Sequence, residues 1–202
     1  MKTLFERMSD GLPKGEWPAR PMKALTIYQP WASLIMVGAK PYEFRGWNPR
    51  ERGGSYAALI GQRIVIHASA RKIVIQEVLA IRRNLEAGGE EAALTCLHAD
   101  KAMPILDRAL ETYASGPYGL FSLDGHGDLP WGVGLGTAVL GEPRNGLDIA
   151  EEFGVQSVND SDRDEHANWG WPMLDVEVWD QPVPMRGLQG FWNWPTPDSV
   201  DL

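Results

Sequence analysis

Residues 24–47, ALTIYQPWASLIMVGAKPYEFRGW, carry the reading of the fold. Ala24-Leu25-Thr26-Ile27 is a short apolar run suited to a buried strand. Pro30 is then suited to the first position of a helix, where a missing N–H costs nothing. Trp31, Leu34, Ile35 and Gly38 recur on one face of that helix, with Gly38 near its stop. Tyr42-Glu43-Phe44-Arg45-Gly46-Trp47 then alternates aromatic and polar residues, the pattern of a strand with two unlike faces. Strand, turn, helix and strand within 24 residues exclude a simple helical bundle.

Outward from that stretch the pattern continues. A basic, glycine-bearing loop, NPRERGGSYAALIGQ, leads into Arg63–Ala68, a strand of buried type. From Lys72 the period turns helical through Ile75, Val78, Leu79 and Leu85, and Gly88-Gly89 stops it. A second helical stretch begins near Glu90, and Pro104 is expected to interrupt it before it ends at Gly116-Pro117. Residues 117–132 read as loop and Val133–Leu140 as a glycine-spaced strand. The acidic stretch 143–168 reads as solvated loop, and Leu174–Trp179 and Leu188–Trp192 as further strands. The expected architecture is α+β: a barrel of about six short strands with helices inserted around it. The expected organisation is an N-terminal arm over 1–23, one domain over 24–194 with a helical insertion near 88–116, and a tail over 195–202.

Composition sets limits on function. The chain has 202 residues, 44% hydrophobic and 23% charged, which fits one domain able to bury a core unaided. A single cysteine, Cys96, excludes an intramolecular disulfide and a cysteine-based zinc finger. The scattered histidines lack metal-ligand spacing, so no metal and no cofactor are expected. No apolar run approaches a membrane span or a signal-peptide core, and the expected location is the cytoplasm.

The net charge of −8 conceals a split. Residues 1–72 hold twelve Lys and Arg against five Asp and Glu; the remainder holds seven against 22. That asymmetry suggests a basic, nucleic-acid-type face on an acidic body. Repulsion from the acidic part favours a small footprint, one nucleoside or a few nucleotides.

Several residues have chemistry suited to such a face. Glu43 and Arg45 share one side of their strand, and Lys40 stands at its start. A desolvated lysine near another cation can serve as base or nucleophile, with Glu43 assisting. An ion-pair network fixing the corner is the alternative. Gln29 can bond a base edge, while Trp31 suits either the core or the site. Trp47 beside Arg50 and Arg52 suits base stacking, and Trp171 suits a cleft wall. His67, Ser69, Arg71 and Lys72 end one strand and open a helix, an edge able to face phosphate.

The same stretches resemble the ASCH family, named for the activating-signal-cointegrator homology domain. The matching pieces are the QPWA turn, Gly38-x-Lys40-x-x-Glu43-x-Arg45, the HAS strand end at 67–69, LPWG at 129–132, and the closing PMRGLQGFW at 184–192. They run in order through most of residues 24–194. The resemblance implies a PUA-like β-barrel whose central cleft takes RNA or a modified nucleoside. Some family members are amidohydrolases acting on acetylated cytidine, and at least one is described as a ribonuclease. A catalytic reading would use Lys40 and Glu43. Those amidohydrolases carry threonine three positions after the lysine, where this chain has Glu43, and a third, acidic residue for which Glu165 is the candidate. A third reading keeps the barrel as a protein-interaction module without a ligand. The resemblance does not fix the oligomeric state.

Overall fold

Apolar runs that can satisfy their backbone only by pairing set the frame of this chain. In a computed structural model, residues 22–115, 129–158 and 169–195 are described. The strands are β1 (Lys23–Ile27), β2 (Tyr42–Arg45), β3 (Arg63–Ala68), β4 (Val133–Leu140), β5 (Arg144–Asn145), β6 (Trp169–Pro184) and β7 (Phe191–Asn193). They form one mixed sheet in the order β2-β6-β4-β3-β1-β7, with β5 beside β6. Among the described residues only β1 and β3 run parallel, with Ile27 opposite Ala68.

The sheet curls into a half-barrel. Two register shifts between β4 and β6 bend it, one of them where Gly134 and Gly136 face Val183 and Val178. Gly136 is required there, because a Cβ would meet the Glu177 carbonyl oxygen and the end of Met36. Inside the curl lie Leu25, Ile27, Ile64, Ile66, Leu135 and Leu140, packed against helix α1 (Trp31–Met36). On the opposite face Ala24, Val65, Val183, Trp192 and Trp194 form a second layer. Strand β3 is therefore buried on both sides from Ile64 to Ala68.

The remaining helices are α2 (Pro49–Arg52), α3 (Gly54–Ala57), α4 (Ile75–Ala87), α5 (Gly89–Leu94), α6 (Ala99–Ser115) and α7 (Gly146–Phe153). Helices α4 and α6 bury Val78, Ile81, Leu85, Ala102, Leu106 and Ala109 against Leu34 of α1. The mixed α+β class and the barrel-like sheet agree with the sequence reading. No helix among the described residues is long and apolar enough to cross a membrane.

Four local expectations change. The break in the second helical stretch falls at residues 95–98, where Cys96 has φ +51°, and Pro104 stays inside α6. Early in that helix a proline sacrifices one backbone bond, and the buried apolar face compensates. The 48–62 loop contains the short turns α2 and α3, the first capped by the Asn48 side chain. The acidic 143–168 stretch includes α7, capped by Asn145 and ended by Gly154 in the left-handed conformation. The strand expected at 174–179 spans 169–184, and Leu188 lies before β7 instead of within it. The arm over 1–21, the tail beyond 195, Glu165 and most of the 117–132 loop lie outside the described residues.

Candidate functional site

An open cleft of about 1830 Å³ lies inside the curl. One wall comes from β2 and the turn after it: Glu43, Phe44, Arg45 and Trp47. Trp171 of β6, the cross-strand partner of Glu43, continues this wall, and Phe191 of β7 also lines the cleft. Tyr56 of α3 and Arg52 of α2 cover that end, and Tyr28, Ser69 and Arg71 lie past the ends of β1 and β3.

The aromatic rings form a connected set. Trp171 stacks on Phe191 at 5.6 Å with 11° between planes, and meets Trp47 edge-on at 4.6 Å. Trp47 in turn meets Tyr56 edge-on at 5.4 Å. The Trp171 Nε1–H donates to the Trp47 carbonyl at 3.2 Å, which fixes the Trp171 indole relative to the backbone after β2. Three guanidinium groups lie over rings of this cleft: Arg52 over Trp47 at 4.2 Å, Arg45 over Trp171 at 5.8 Å, and Arg71 over Tyr28 at 4.8 Å.

The buried charge sits beside this wall. Glu43 is 3% exposed, lines the cleft and is ion-paired to Arg45. Lys40 Nζ lies 3.9 Å from its other carboxylate oxygen. Lys40 is itself only 2% exposed and stays behind the lining, its ammonium 4.8 Å from the Trp31 ring centre and 5.1 Å from that of Phe44. Removing such a cation from water is costly, and the carboxylate and the two ring faces offset the cost.

The structure thus brings Trp31, Glu43, Arg45, Trp47, Ser69, Arg71 and Trp171 to one cleft. Gln29, Lys40, His67 and Lys72 do not line it. Gln29 serves the fold: its Oε1 accepts from Ser33 N at 3.1 Å, and its Nε2 donates to Ser33 Oγ at 2.8 Å and the Pro130 carbonyl at 2.5 Å. Ala32 N and Leu34 N donate to the Tyr28 and Pro30 carbonyls, so the start of α1 offers none of these three donors to an anion.

His67 faces the outer layer, because Ile66 and Ala68 take the inner face and successive side chains alternate. Its Nε2 lies 2.9 Å from the Met185 carbonyl, its ring meets Trp192 edge-on at 5.6 Å, and Nδ1 has no hydrogen-bond partner among the described residues. Burial holds the imidazole below its ordinary value, against the opposing effect of the Met185 bond. Lys72 is exposed outside the cleft, and Arg50 is engaged with Glu142 at 2.6 and 2.7 Å. Among the described residues no group of three or more His, Cys, Asp or Glu is placed to hold a metal ion.

Sequence reading passed over Tyr28, Tyr56 and Phe191 as cleft residues. Tyr28 adjoins the QPWA turn, and its 52% exposure is the signal that only the folded chain reveals. No family model and no curated protein matches this chain.

Proposed function

We propose that this protein binds single-stranded RNA, or a modified nucleoside within it, in the cleft of a PUA-like barrel of the ASCH type. The observation that carries this reading is the set of half-buried rings Trp47, Tyr56 and Phe191 around the fully buried Trp171, with Arg52 lying over Trp47 and Arg45 over Trp171. Bases stack on aromatic faces, arginines neutralise phosphate and extend the stack, and a buried carboxylate accepts from base N–H groups. Glu43 adjoins that ring set in the cleft lining, and its pairing with Arg45 keeps it oriented.

The reading is tested by titrating short single-stranded RNA into the wild-type protein and Trp47→Ala. Loss of one stacked base is worth about 1–3 kcal/mol, so Trp47→Ala should weaken binding roughly 5-fold to over 100-fold. Unchanged affinity in that variant would contradict it.

A second reading, hydrolysis of a nucleoside amide or of RNA, draws on the Lys40–Glu43 pair beside the cleft. Lys40→Ala distinguishes the two: an enzyme loses turnover and keeps its ligand, whereas a pure binder shows no turnover in either form. The position of Lys40 behind Trp31 and Phe44 favours the binding reading.

A further inference from the structure

The cleft is larger than one nucleoside needs. Pockets for small ligands enclose roughly 300–1000 Å³, and this one encloses about 1830 Å³. Phe191, which closes the aromatic end, pairs with Leu25 of β1. Three residues further along the chain stands Tyr28, about 10 Å away at the rise of an extended strand. A single stacked base does not reach both.

Tyr28 is 52% exposed, and the Arg71 guanidinium lies 4.8 Å from its ring centre. The two residues follow the ends of the parallel neighbours β1 and β3, where Ile27 faces Ala68. Ser69 Oγ accepts from the Arg71 backbone N–H at 3.1 Å and shapes the turn that carries the arginine. The ion pair of Arg71 with Glu77 is 3.8 Å long and solvent-exposed, so it holds the guanidinium weakly. Neither side chain has a core to serve. An exposed ring with a loosely engaged arginine over it is the arrangement that single-stranded nucleic-acid sites use.

Resting on the RNA reading above, we propose that Tyr28 and Arg71 form a second nucleotide subsite. The ligand is then a single-stranded RNA of at least two consecutive nucleotides. One base lies against the half-buried Trp47, its neighbour stacks on Tyr28, and Arg71 meets the connecting phosphate.

The test compares uridine monophosphate with an oligouridine ten nucleotides long, on the full chain at low salt. The wild type, Tyr28→Ala, Tyr28→Phe and Arg71→Gln are titrated after their melting temperatures are checked. The expected result is at least a 5-fold loss of oligonucleotide affinity in Tyr28→Ala and Arg71→Gln. Mononucleotide affinity should stay within 2-fold, and Tyr28→Phe, which keeps the stacking face, should resemble the wild type. Equal affinity of the wild type for both ligands, oligonucleotide affinity unchanged in the variants, or an equal loss for both ligands overturns the second subsite and leaves the RNA reading standing. Absence of binding to either ligand overturns the RNA reading, and the subsite with it.

Discussion

Trp171 and Phe191, twenty positions apart in the chain, lie face to face with ring centres 5.6 Å apart. Trp171 belongs to β6 and Phe191 to β7 at the far edge of the sheet, with β4, β3 and β1 between them in the strand order. Their contact holds the curl closed across the cleft. Phe191→Ala should therefore cost about 2 kcal/mol, from lost burial of a half-buried ring and a lost aromatic pair. Denaturant unfolding measures it, and Phe191→Leu should recover much of the loss.

Glu43 stands between two cations of unequal exposure. Lys40 is 2% exposed, whereas the Arg45 side chain is 33% exposed. Removing the carboxylate takes a counter-charge 3.9 Å away from a buried ammonium, a change worth about 3–5 kcal/mol. Arg45→Ala leaves Glu43 with Lys40 and should cost less than half as much. Equilibrium unfolding of Glu43→Ala and Arg45→Ala checks the order.

His67 makes stability depend on pH. Its folded-state value lies below the ordinary 6.5 because it is buried. The unfolded chain takes up a proton there before the folded chain does. The contribution of this group is fully present above about 6.5 and declines as pH falls from there towards the folded value. His67→Gln should flatten the stability profile between about pH 7 and about pH 5 relative to wild type. Chemical denaturation across that range measures the difference in slope.

At Gly136 the backbone of β6 leaves no room for a side chain. Gly136→Ala drives a methyl against the Glu177 carbonyl, and neither strand can move without breaking the β4–β6 ladder. A loss of about 1–3 kcal/mol is expected. A thermal melt compares it with Gly154→Ala, where a Cβ meets nothing and only the left-handed backbone is strained.

The parts legible in the sequence are those whose pattern is local. Ala24–Ile27, Arg63–Ala68 and Val133–Leu140 are predominantly apolar runs, and each lies in a largely buried strand inside the sheet. Glu43 and Arg45 share a face because alternation alone puts them there. In the sequence β6 reads short at both ends, because Pro172 on one side and Pro182 and Pro184 on the other bracket the alternating stretch Leu174–Trp179. Helix α7 is hidden by acidic residues on its solvent face, although Ile149, Ala150 and Phe153 mark its buried side. Gln29 and His67 have side chains suited to a ligand, and only the turn at Pro130 and the tryptophans of β7 and Trp194 reveal their internal partners. The stack of Trp171 on Phe191 depends on the curl of the whole sheet, which no local pattern encodes.

The central claim is that the cleft holds single-stranded RNA through stacked bases and a few arginines. The most direct measurement is the affinity of a short single-stranded RNA between about 50 and about 200 mM salt. With two to three phosphates neutralised by Arg45, Arg52 and Arg71, the association constant should fall roughly 7- to 18-fold over that range. Binding that is undetectable even at the lower salt, or that shows no salt dependence, would contradict the account.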